Sequence, residues 1–156
     1  MSLPLDIARS HLETLIERVS GMPKAVADED GDYPFAVAHA RFFARVDGSA
    51  QPVIRVFAVV SNKVDKTPEL LDTLNSINTH LVGVRTMWIN DQVLFEADLR
   101  AMSADTVAFG EACQLVASTA DHFGPPLVQN FGGEAFFEQS KETGYEPAEP
   151  KYVGYL

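Results

Sequence analysis

The stretch VIRVFAVVSN, residues 53–62, constrains the fold more than any other part of the chain. It is β-branched and apolar at nearly every position. A near-continuous run of that kind reads as a strand buried on both faces, central in its sheet. The rest of the sequence must supply strands to flank it and helices to cover it.

Two other segments read as strands. PFAVAHARFFARV alternates, with Ala36, Ala38, Ala40, Phe42 and Ala44 on one side and Phe35, Val37, His39, Arg41, Phe43 and Arg45 on the other. The row of alanines predicts a closely packed helix on that side. PKAVADEDGDYPF, just before it, turns around Asp30-Gly31, and DGSAQP is a turn cluster. Further on, VGVRTMWINDQVLFEADL reads as a hairpin that turns at Asn90-Asp91.

Three segments carry helical periodicity. From Pro4 to Val19, Leu5, Ala8, Leu12, Leu15, Ile16 and Val19 form one stripe, and Gly21 then Pro23 end it. TPELLDTLNSINTHL follows the central strand, with Thr67 as N-cap and Pro68 at the first helical position. SADTVAFGEACQLVASTADHF is the third, capped by Ser103 and stopped by Gly124-Pro125-Pro126. The order is α-β-β-β-α-β-β-α. Consecutive hairpins make the five-stranded sheet mostly antiparallel, and helices on one face make it an α+β two-layer domain. Residues 1–133 are assigned to this domain. Residues 134–156, aromatic, acidic and rich in Gly and Pro, are expected to form an extended tail.

Charge and composition narrow the function. With 12 basic and 22 acidic residues the net charge is −10, which argues against nucleic acid and anionic membrane as partners. No run approaches about 18 apolar residues, and the N-terminus has no apolar core of a signal peptide. A single cysteine, Cys113, gives no internal disulfide. The expected location is the cytoplasm.

No catalytic constellation assembles. The acidic DEDGD turn lacks the spacing of a calcium loop, and His11, His39, His80 and His122 lack zinc-ligand spacing. No nucleophile elbow or phosphate loop is present, and Cys113, at the margin of an apolar helix face, reads as a small core residue. No metal site, catalytic residue or enzyme activity is expected. In the second helix, Asn78 falls inside the apolar arc and Asn75 at its edge. A buried amide without a partner costs about 1–3 kcal/mol. Asn78 is therefore expected to bond to the backbone of a neighbouring strand or loop, and Asn75 is assigned the same structural role at a subunit contact. The alternative function is a small-ligand binder or enzyme with a pocket between the second helix and the sheet, lined by Asn75, Asn78 and Trp88.

The last hairpin is more informative. A turn at 90–91 puts Val84, Thr86, Trp88, Val93, Phe95 and Ala97 on one face, assigned to the core. The other carries Arg85, Met87, Ile89, Leu94, Glu96 and Asp98, an apolar cluster rimmed by charge. Left open, such a patch marks a peptide or partner contact, and methionine suits an adaptable one; the alternative is that the chain's own tail or a dimer mate covers it. Arg41, Arg45 and Arg55 are candidates to line the same sheet.

The element order, the small acidic chain, the Leu74-Asn75-x-x-Asn78 motif and the closing ADHFGPPLVQNFGG together resemble the YbjN-like proteins, over roughly residues 3 to 133. That family is grouped by fold with type III secretion chaperones. The resemblance implies a chaperone-like α+β domain, commonly a homodimer, that holds an extended segment of a client protein. It implies no cofactor and offers no catalytic residue. The tail after Gly133 departs from it and is a candidate self-client. The reading is a non-enzymatic peptide- or protein-binding domain, either chaperone-like or a regulatory adaptor.

Overall fold

The structure, a computed structural model, describes residues 3–48 and 50–135. Helix α1 (Leu3–Ser20) leads into strands β1 (Tyr33–Val37), β2 (Ala40–Asp47) and β3 (Val53–Asn62). Helix α2 (Pro68–Asn78), strands β4 (Arg85–Ile89) and β5 (Gln92–Arg100), a 3-10 turn (Ala101–Ser103), helix α3 (Thr106–Phe131) and strand β6 (Glu134–Ala135) follow. The sheet path is β1-β2-β3-β5-β4, with β6 on β3, and β1–β2, β2–β3, β3–β6 and β4–β5 pair antiparallel. Over the described residues the fold is thus α+β, with an antiparallel sheet and three helices. The expected β-branched run is interior to that path, and a short sixth strand joins the expected five.

The chain divides into two compact units, one of Met1–Phe57 with Ala97–Gln114, the other of Ala58–Glu96 with Leu115–Leu156. In the first, the α1 stripe of Ala8, Leu12, Leu15 and Ile16 is buried, each side chain contributing on the order of 1.5–3 kcal/mol for the larger ones. Phe35 stacks on Phe42 at 5.3 Å between ring centroids and on Phe109 at 5.8 Å. Tyr33 donates to the Glu13 carboxylate at 2.8 Å, and burial together with that bond pushes its phenol up to about 12. Gly21, at φ +74°, ends α1 by donating to the Glu17 carbonyl at 3.0 Å.

The first two strands differ from the sequence reading. PFAVAHARFFARV is a hairpin, folded back at Ala38-His39, with Val37 opposite Ala40 and Phe35 opposite Phe42. The turn swaps the alternation, so Phe35 and Phe42 share the buried side, while Ala36 and Ala38 are exposed. The Asp28–Asp32 loop is no hairpin turn. The Asp28 carboxylate closes it by accepting from the backbone N–H groups of Asp30 (3.0 Å) and Asp32 (2.9 Å).

In the second unit, Thr67 caps α2 by accepting from the Leu70 N–H at 3.1 Å, and Leu70 and Leu74 are buried. The helix stops at Asn78 rather than at Leu81, because the chain tightens into i→i+3 bonds from His80 to Ile77 and from Leu81 to Asn78. Phe95 is fully buried and stacks on Phe123 at 6.2 Å.

Helix α3 departs from the sequence reading at both ends. Its cap is Asp105, not Ser103: the Asp105 carboxylate accepts from the Ala108 N–H at 2.8 Å. Pro125 and Pro126 lie inside the helix, which runs on to Phe131. Both prolines are exposed, so the carbonyls of Asp121 and His122 that lose their helical donors can turn to water. The apolar stripe continues past them to buried Leu127, and packing outweighs the break. Gly132, at φ +78°, ends the helix. At Gly133 a Cβ would come within 2.6 Å of the Asn62 carbonyl oxygen, so only glycine lets the chain pass beside β3. Glu134 and Ala135, expected to begin the tail, pair with Asn62 and Ser61 as β6. The remainder of that tail lies outside the described residues.

Candidate functional site

The β4–β5 hairpin turns through Asn90 (φ +50°) and Asp91 (φ +61°), two residue types that tolerate the left-handed region. Two positive φ values match the strand twist and fix the register: Arg85 opposite Glu96, Thr86 opposite Phe95, Met87 opposite Leu94, Trp88 opposite Val93, Ile89 opposite Gln92. Alternation then separates the faces. Thr86, Val93, Phe95 and Ala97 are buried, and Thr86 donates its hydroxyl to the Leu94 carbonyl at 2.9 Å. Trp88 is half-buried, and its indole N–H donates to the Val64 carbonyl at 2.8 Å.

On the other face, Arg85 donates to the Glu96 carboxylate through Nε at 2.8 Å and through Nη2 as well. Glu96 is only 7% exposed and Leu94 only 5%, so both are covered in the single chain. Met87 is half-buried, and Ile89 is open at 43%. The accessible part of the expected patch is therefore Ile89 with the flank of Met87, beside an Arg85–Glu96 pair.

The polar groups of the alternative pocket do not converge. Asn75 is exposed. Asn78 is exposed too, not buried as its place in the apolar arc suggests, and its amide engages the backbone of Thr86 on both sides. Nδ2 donates to the Thr86 carbonyl at 2.9 Å, and Oδ1 accepts from the Thr86 N–H at 2.8 Å.

In the other unit, Phe43 and Phe57 stack at 5.5 Å on half-buried positions, and the Arg45 guanidinium lies 5.9 Å from the Phe57 centroid. Arg45 also pairs with Asp32 at 2.7 Å, and Arg55 lies 3.3 Å from Asp47 and 3.5 Å from Asp98. Arg41 is exposed. The arginines were candidates from sequence; the aromatic pair between them was not. Its signal lies in two alternations, Arg41-x-Phe43-x-Arg45 and Arg55-x-Phe57, which meet only once strand register is known.

Reactive groups are sparse. Cys113 is buried, and burial pushes its thiol up to about 12, which suppresses the nucleophilic thiolate. Burial also raises the Asp121 carboxyl to about 6. Among the described residues no group of three or more His, Cys, Asp or Glu side chains could hold a metal ion. Among them, too, no helix is long and apolar enough to cross a membrane.

Comparison with known proteins gives three results. A family model described as T3SS (YopN, CesT) and YbjN peptide-binding chaperone 1 matches residues 6–139. No curated protein sequence matches. Among solved structures, a chain of the ExsC–ExsE complex is similar at a TM-score of 0.60 and 17% identity, over 81% of this chain and 97% of that one. A chain of the HopA1–SchA chaperone–effector complex is similar at 0.50 and 11%, over 85% and 98%. At these identities the two structures speak to the fold.

Proposed function

This chain belongs to the family of T3SS and YbjN peptide-binding chaperones, and we propose that it works as one, without catalysis, by holding a segment of a client protein. The observation that carries the reading is the family match over residues 6–139. The docking face in this proposal is the outer face of the β4–β5 hairpin. Ile89 and Met87 offer apolar contact there, and the Arg85–Glu96 pair orients a polar neighbour. The Phe43–Phe57 pair, flanked by the Arg45–Asp32 and Arg55–Asp47 ion pairs, is a second surface with apolar and polar contacts for an extended chain. The working form is a homodimer in the cytoplasm. The fold likeness to a chain of a chaperone–effector complex supports a polypeptide client over a small ligand.

The test begins with co-purification from host lysate and identification of bound proteins by mass spectrometry. The identified client segment is then titrated by calorimetry against wild type and Ile89→Asp. Leu94 is unsuited to substitution, because a charge at a buried position would unfold the hairpin before it reported on binding. A roughly tenfold loss of affinity, the equivalent of about 1.4 kcal/mol, is expected for Ile89→Asp. Unchanged affinity would remove the hairpin face from the proposal. A chain that retains no polypeptide would remove the chaperone reading.

A further inference from the structure

Successive residues of a strand point to opposite faces of the sheet, so a run buried without alternation has both faces covered. From Val53 to Phe57, half-buried and buried residues of β3 alternate, the pattern of one covered face. From Ala58 to Ser61 the alternation stops, and no residue is more than 9% exposed. β5, its neighbour in the sheet, does the same from Val93 to Glu96.

One of the two covers is visible. Phe95 stacks on Phe123 of α3. By pairing and alternation, Thr86 and Trp88 share the face of Phe95. α2 lies on that side too. It starts beside Lys66, whose ammonium sits 5.6 Å from the Trp88 ring. The loop after it meets α3, where a Cβ at Gly83 would come within 3.3 Å of the Leu115 side chain. Leu94 and Glu96 point the other way, with Met87 and Arg85 opposite them. Among the described residues of this unit no helix is left for that side. Leu94 and Glu96 are nevertheless buried in a single copy, so the cover belongs to the chain itself.

The path out of α3 leads to it. Gly132 and Gly133, at φ +78° and +87°, turn the chain back along β3. Ala135 pairs with Ser61, the end of the buried run. Asn62, the next residue, accepts from the Gln92 side chain at 2.7 Å, which sets the start of β5 beside the end of β3. Leu94 follows two residues along β5. Two strand spacings and two residues put it on the order of 12 Å from Ala135. The chain continues with Phe136 and Phe137. Two extended residues advance about 7 Å, and a phenyl ring spans the rest.

We propose that residues 136–156 fold back over the outer face of β3 and β5, with Phe136 and Phe137 seated on Leu94. The chain thereby occupies, with its own tail, part of the face proposed for a client. Phenyl rings supply the apolar surface that a buried leucine on an otherwise bare sheet requires. The anchor is weak enough to release. β6 is two residues long, and its Lys63–Glu134 pair, at 2.8 Å, is exposed and adds little. The cover follows from the burial pattern. Its consequence, that a client must displace the tail, rests on the chaperone reading.

Thiol accessibility tests the cover on the full chain. Leu94→Cys places a reporter beneath it and keeps the position apolar. Buried Cys113 is the internal reference, which reacts only if the fold opens. Alkylation by iodoacetamide is followed by peptide mass spectrometry, with and without Phe136→Ser/Phe137→Ser. The reporter should react as slowly as Cys113 in the first protein and roughly tenfold faster in the second, with Cys113 unchanged. A reporter that reacts freely in the first protein, or equally slowly in both, overturns the proposal. A second measurement leaves the aromatic character of the tail in place. Phe136→p-benzoylphenylalanine, irradiated in the full chain, should crosslink to residues 58–61 or 92–96; capture elsewhere overturns the cover. Neither measurement uses a client, so a chain that retains no polypeptide would end the chaperone reading and leave the cover standing. With a client segment in hand, Phe136→Ser/Phe137→Ser should bind it roughly tenfold more tightly, and unchanged affinity would overturn the displacement.

Discussion

The β1–β2 hairpin reverses at Ala38-His39 and the β4–β5 hairpin at Asn90-Asp91, each through a loop of the same length. In β4–β5 both loop residues adopt positive φ, and both are types that tolerate it. In β1–β2 only Ala38 does, at +53°, and alanine gains nothing locally from that conformation. One turn is specified by its own residues. The other is imposed by what packs beyond it, the stack of Phe35 on Phe42 and Phe109. Equal loop length therefore says little about what holds a hairpin.

The largest effect that could break this contrast is at Phe42, which is 2% exposed. If packing imposes the first turn, Phe42→Ala should cost about 3–5 kcal/mol, the usual range for a buried aromatic truncated to alanine. Urea unfolding measures it. A cost below about 2 kcal/mol would mean that the Ala38-His39 turn holds itself, and the distinction between the hairpins would fall.

A smaller effect sharpens the other half. Asp91 has φ +61°, where a β-branched residue is strained. Asp91→Val should cost about 2 kcal/mol, whereas His39→Val, at a position without positive φ, should add almost no backbone strain. Thermal unfolding of both variants gives the difference directly. Equal losses would show that the Asn90-Asp91 turn contributes no specificity of its own.

The same contrast explains what the sequence discloses. The Asn90-Asp91 register, the Thr67 cap with Pro68, the interior place of residues 53–62 and the α1 stripe are all written in local residue types. Their causes act within a few positions of the chain. The Ala38-His39 turn carries no turn residue, and its cause is Phe109, more than sixty positions away. Pro125-Pro126 reads as a stop, and the helix continues because Leu127 has somewhere to pack. The candidate site divides in the same way. Alternation puts Arg85, Met87, Ile89, Leu94 and Glu96 on one face, but which of them remain open depends on what covers Leu94 and Glu96. Likewise, periodicity places Asn78 on the inner arc of α2. The cost of an unpaired amide predicts its bond to the backbone of a neighbouring strand, and the bonds to Thr86 are of that kind. That the residue is Thr86 follows only from the path of the β4 edge past the end of that helix.

The finest test is at Ala38 itself. An alanine in the left-handed region gives up about 1–2 kcal/mol that glycine would not. Glycine in turn loosens the unfolded chain, which costs about 0.4–1 kcal/mol of stability. The difference leaves Ala38→Gly more stable by about 0.5–1 kcal/mol, or roughly 1–4 °C in Tm for a chain of this size. Ala38 is exposed, so no packing change confuses the result. A gain would show that the first hairpin carries a strained turn because its aromatic stack tolerates it. A loss would mean that the methyl group or the stiffer backbone of alanine supports the turn, and that its residues specify it after all.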